Sequence, residues 1–162
     1  MFDVLVYVYE HYWRGDNCPE LPLLGRKLSA AGFDPDEIQQ ALSWLAGLNN
    51  AAQHADLIEL QPSQPPSAYA QSPHSMRVYS DEEQRHLGAA CLGFLTFLES
   101  AGVISAQMRE IVVDRAMAVT DHPVSLDDLK IIVLMVFWSA GIEPDALVLD
   151  ELCDDSGDRL AH

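Results

Sequence analysis

Apolar residues recur three and four positions apart along most of the chain, the period of helices that bury one face. Six such stretches stand out. The first covers Phe2 to Trp13; its Val and Tyr content leaves a strand as the alternative. The second covers Pro22 to Ala31, with Leu24, Leu28 and Ala31 on one face and Gly32 at the C′ position. The third has Asp34 as N-cap, Pro35 at the first helical position and Glu37 at the third, and carries Ile38, Ala41, Leu42, Leu45 and Leu48. Gly32 to Asp34 join the second and third helices at helix-turn-helix spacing. Further on, Ser80 with Glu83 forms a capping box before Leu87, Cys91, Phe94, Leu95 and Leu98, and Gly102 ends that helix. Ser105 opens a fifth helix carrying Met108, Ile111, Val112, Arg115 and Val119. Ser125 and Asp128 cap a sixth that runs to Ala140 and Gly141. Within it Ile131 to Trp138 is apolar all round, which predicts a central buried helix. A short helix is expected near Pro144.

Between the halves, residues 62–75 read PSQPPSAYAQSPHS, where four prolines forbid a helix and predict an exposed loop. It contains PxxP without a flanking Arg or Lys, so it reads as a loop and not as an SH3-type ligand. The apolar segments Leu57–Leu60 and Met76–Tyr79 flank it, and their pairing as a short β-hairpin would give the first half a winged-helix look. The expected fold is all-α: two three-helix units on one core, the first helix-turn-helix-like or winged-helix-like. The divisions are 1–50, a possible hairpin and loop at 51–79, a helical unit at 80–152 and an acidic tail at 153–162.

Charge narrows the functions. The 162 residues hold 9 Lys and Arg against 25 Asp and Glu, a net charge of −16. Such a balance argues against general phosphate-backbone binding and against docking on anionic membranes. No apolar run reaches the roughly 20 residues that span a bilayer. The first thirteen residues lack Lys and Arg but contain Asp3 and Glu10, unlike a secretory signal, and Cys18, Cys91 and Cys153 are too scattered for a disulfide framework or a zinc site. These features predict a cytoplasmic protein with no metal and no cofactor. No nucleophile elbow or phosphate-binding glycine loop is present, and Asp81, Glu82 and Glu83 are accounted for by the helix dipole, so no catalytic residue is expected.

The segments MFDVL, AGFDPDEIQQALSWL (31–45), SMRVYSDEE (75–83), GFLTFLE (93–99), REIVVDR (109–115) and DLKIIVLMV (128–136), in this order, resemble the Smg family of bacterial proteins. The linker is longer and richer in proline than the family pattern. The resemblance implies an all-helical cytoplasmic protein of unknown biochemical function and assigns no catalytic residue. It also implies a gene neighbourhood that includes a DNA-processing protein, which is association and not mechanism.

Two function classes follow. A non-enzymatic adaptor for a basic protein partner, from nucleic-acid-processing or translation machinery, suits the acidic surface. Its candidate contacts are Arg77, Tyr79 and Trp44; the commoner roles for such residues are that Arg77 pairs with a neighbouring helix's carboxylate, Tyr79 staples the Ser80 cap and Trp44 fills a second packing face. The alternative is a winged-helix-like nucleic-acid binder using Arg26, Lys27, Arg77 and Arg85. Against it, the third helix offers Asp34, Asp36 and Glu37 and no cation through Leu48. Arg109 and Arg115 stand about 240° apart in helical phase and form no patch; each is expected to pair with an acid such as Glu110 or Asp114.

Overall fold

The computed structural model describes residues 1–12, 20–59 and 77–153, apart from the side chains of 54–59, 146, 147, 151 and 153. Its described residues form seven helices and no strand: α1 (Phe2–Tyr12), α2 (Leu21–Ala31), α3 (Pro35–Glu59), α4 (Asp81–Ser100), α5 (Ala106–Met117), α6 (Leu126–Ser139) and α7 (Ala146–Cys153). The capping signals act where the sequence places them. Ser80 and Ser125 each complete a capping box, with Glu83 and Asp128, and Ser105 Oγ accepts from the Met108 amide. Asp34 Oδ1 accepts from the Asp36 amide at 2.9 Å. At the end of α2, Gly32 has φ +96°; its amide bonds the Ser29 carbonyl and the Phe33 amide bonds that of Leu28, a Schellman motif.

Helix α1 forms despite its strand-favouring composition because Phe2, Val4, Leu5 and Val8 bury one helical face against α6 and α3. Its last carbonyl, that of Tyr12, accepts from the Trp138 indole at 3.0 Å. Helix α6 is the centre of the fold: Leu129 to Phe137 are all buried, and it is packed by α1, α3, α4, α5 and α7. Each of its fully covered side chains contributes about 1.5–3 kcal/mol relative to exposure. One continuous cluster of buried side chains runs from Phe2 to Leu152 and draws on all seven helices.

Three expectations need correction. First, α3 does not stop near Leu48 but continues to Glu59, since residues 49–59 contain neither Pro nor Gly and are rich in helix-favouring Ala. Second, the hairpin does not form among the described residues. Leu57 to Glu59 belong to α3, and Arg77 to Tyr79 are in neither helix nor strand; Leu60, Met76 and the loop at 62–75 lie outside the described residues, as does the tail from 154. Among the described residues the α2–α3 pair, joined by Gly32 to Asp34, carries no wing. Third, α4 is not one straight helix. Gly88 sits in its middle with φ +70° and ψ 169°, a conformation open essentially to glycine alone, and the helix breaks there.

Candidate functional site

Sixteen residues of unbroken helix would hold Glu83 and Glu99 about 24 Å apart. The break at Gly88 instead brings both ends of α4 to the start of α5, where five charged side chains form a continuous network. Arg77 grips Glu83 through both terminal nitrogens, at 3.0 and 2.9 Å, and Glu110 through Nε at 2.9 Å and Nη2 at 2.9 Å. Glu110 also accepts from Arg109, at 3.0 Å to Nε and 2.7 Å to Nη2. Arg109 in turn donates to Glu99 at 2.7 Å. The Arg77 guanidinium lies 4.4 Å from the centre of the Tyr79 ring.

The protonation states follow from this packing. The Arg77 hydrogen bonds hold the Glu83 carboxyl down at about 2, assisted by the Ser80 cap. Glu110 is lowered chiefly by Arg77 and further by Arg109, against the opposing effect of burial. Arg77 is raised by Glu110 and Glu83. Burial alone would lower Arg109, but the hydrogen bonds to Glu99 and Glu110 win and raise it. Burial pushes the Tyr79 phenol up, while Arg109 and Arg77 pull it back. That Tyr79 feels Glu99, twenty positions on, is itself a consequence of the broken helix.

The candidate residues are placed as follows. Arg77 and Tyr79 come together at this network, with Arg77 turned inward onto two carboxylates. Trp44 is only 4% exposed, and its indole donates to the Arg115 carbonyl at 3.0 Å, so its ring is not displayed to a partner. The reason is that α3 is covered on two sides, by α1 and α2 and again by α5, which buries Trp44 as well as its neighbour Leu45. Arg26 and Lys27 are exposed on α2, where the Lys27 ammonium lies 5.3 Å from the Tyr12 ring centre. Arg85 is exposed on α4 and donates to the Asp81 carbonyl. Arg26 and Lys27 thus sit on α2, which packs on α3, and Arg85 on α4, which packs on α5 and α6, while Arg77 is paired with Glu83 and Glu110. Arg115 pairs with Asp114, and its guanidinium passes so close to Gly47 of α3 that a Cβ there would collide with it.

Arg109 is the participant whose role the sequence pattern understates. It is 4% exposed and lies on the same face as Val112, Val113 and Ala116, a spacing of three, four and seven that marks a core position. Elsewhere, a cleft of about 430 Å³ beside Trp44 is lined by Gln39, Gln40, Ser43, Arg115 and Asp121, with no histidine or cysteine on its walls. Among the described residues no three His, Cys, Asp or Glu side chains converge as metal ligands, and no helix is long and apolar enough to cross a membrane.

A family model described as protein of unknown function (DUF494) matches residues 1–162. Proteins called Smg homolog align over the full length of both chains: that of Methylibium petroleiphilum is 57% identical, that of Leptothrix cholodnii 57% and that of Bordetella avium 48%. The chain belongs to the Smg family. No solved structure matches it. For the Smg family fold, the resemblance carried by the segments between Met1 and Val136 implied an all-helical chain, and the described residues are helical throughout those segments apart from caps, turns and the non-helical stretch at Arg77–Ser80.

Proposed function

We propose that the protein is a cytoplasmic, non-enzymatic adaptor that binds a basic protein partner, of the kind found in nucleic-acid-processing or translation machinery. The observation that carries this reading is how the cations are used. Of the Lys and Arg residues in the described ranges, Arg77, Arg109 and Arg115 are held in ion pairs and Lys130 is buried within α6. Arg26, Lys27 and Arg85 remain exposed, facing many exposed carboxylates that include Asp3, Asp36, Asp81, Glu82 and Asp121. The pairs and the buried Lys130 and Asp128 take up carboxylates as well as cations, so the surface keeps the acidic balance of the composition with few cations left free on it. Long-range attraction of a basic partner follows, as does repulsion of nucleic acid. The buried free thiol of Cys91 suits a reducing compartment.

The test is an affinity pull-down from native cytoplasm at low and moderate salt, with and without nuclease, read by mass spectrometry. The expected result is a basic protein that survives nuclease and is lost as salt rises. Recovery only without nuclease would overturn the adaptor reading in favour of contact through nucleic acid, and a gel shift with duplex DNA would then be compared for Arg26, Lys27, Arg77 and Arg85 variants.

A further inference from the structure

We propose that the non-helical segment Arg77–Ser80 is the docking edge for the partner, and that its contact side chain is Val78 rather than Arg77 or Tyr79. The inference rests on the adaptor reading and names its site. Three observations carry it. Exposure alternates along the segment: Arg77 is turned inward onto Glu83 and Glu110, Tyr79 packs against the core, and Val78 between them is 86% exposed. The segment is held in place before any partner arrives. Arg77 grips two helices at once, stacks on Tyr79 and donates to the Val78 carbonyl at 3.2 Å, and the Gln84 amide donates to the Tyr79 carbonyl at 2.8 Å. A preorganised edge loses little conformational freedom on binding.

The third observation is charge. Glu110 is half exposed, Asp81 and Glu82 are exposed, and the five-residue network carries three carboxylates against two guanidinium groups. The occupant that fits is an extended segment of a basic protein, with an apolar side chain on Val78 and Lys or Arg on the flanking carboxylates. A second copy is disfavoured by its own charge of −16, and residues 61–76 of this chain contain no Lys or Arg to complement the edge.

The experiment uses the full chain and two fluorescein-labelled peptides, one alternating Arg and Leu and one alternating Arg and Ser, followed by anisotropy at low ionic strength. The Arg–Leu peptide is expected to bind more tightly. Val78→Ser should weaken it about tenfold, the value of one apolar side chain at a contact. Leu23→Ser, which alters an exposed apolar residue on α2, should leave it unchanged. Arg77→Ala makes the protein more acidic, so a purely electrostatic contact would tighten; release of the clamp should weaken it instead. Equal effects of Val78→Ser and Leu23→Ser, or unchanged or tighter binding in Val78→Ser or Arg77→Ala, would overturn the assignment of this edge while leaving the adaptor reading in place. Failure of the wild-type chain to bind either peptide would overturn both.

Discussion

Alanine at Gly88 should destabilise the protein, although alanine for glycine inside a helix ordinarily stabilises it. A regular helix gains up to about 1 kcal/mol from this change. Gly88 is not regular: at φ +70° and ψ 169° it occupies a region that costs an L-residue about 1–3 kcal/mol. The cost is purely conformational, since a Cβ built there meets nothing within 4 Å. Gly93 is the internal control. It lies in the same helix, is exposed, has no positive φ, and its Cβ would likewise meet nothing. Gly93→Ala should therefore gain up to about 1 kcal/mol, so that the two variants differ by about 1–4 kcal/mol. Urea unfolding at neutral pH reads both, with unchanged m-values licensing the comparison. In a thermal scan Gly88→Ala should melt about 3–10 °C lower than the parent. Equal stability of the two variants, or a stabilised Gly88→Ala, would refute the broken helix and with it the route by which both ends of α4 reach α5.

Three further outcomes test the same architecture. Arg109→Ala removes a guanidinium that is 4% exposed, but its partners Glu99 and Glu110 are 35% and 48% exposed and regain water, so urea unfolding should show a loss of about 2 kcal/mol rather than the larger cost of a fully buried pair. The Glu83 carboxyl is held at about 2 instead of 4.5; its stabilisation is present above pH 4.5 and is lost as pH falls toward 2. Acid titration of stability should show that loss as roughly 2–3 kcal/mol, and Glu83→Gln should flatten it. Trp44→Phe removes both the donor to the Arg115 carbonyl and part of a buried ring, costing about 2 kcal/mol in urea unfolding, whereas a Trp44 displayed to solvent would show almost no change.

Local signals were legible and tertiary ones were not. Ser80 with Glu83, and Ser125 with Asp128, announce helix starts because a hydroxyl and a carboxylate three residues apart satisfy free backbone amides without help from the rest of the chain. The apolar run Ile131–Trp138 likewise reads correctly, since only coverage from several sides accommodates it. The continuation of α3 through Leu57 was hidden, because short apolar runs suit a strand or a helix and α3 has a weak apolar stripe over this stretch. The break at Gly88 was hidden too: a lone glycine between Leu87 and Ala89 looks like a tolerated helical residue, and only its backbone angles distinguish it from Gly93. At the candidate site, the pairing of Arg77 with another helix's carboxylate was legible as one of two readings, while the inward turn of Trp44 depended on where α5 packs.

Glu83 holds two jobs in one carboxylate. It accepts the Ser80 amide at 2.7 Å to start α4, and it receives both terminal nitrogens of Arg77, which is tied to Glu110 on α5. The first turn of α4 therefore cannot fray as an independent event. The Ser80 amide is bonded to a carboxylate that the neighbouring helix also holds in place through Arg77, so this proton should exchange with the larger opening that frees α5 instead of with the fast breathing usual at a helix end. Glu110→Gln, a change on a different helix, should then speed exchange at Ser80. A helix terminus, ordinarily the loosest part of a helical protein, is here tied to the opening of a second helix.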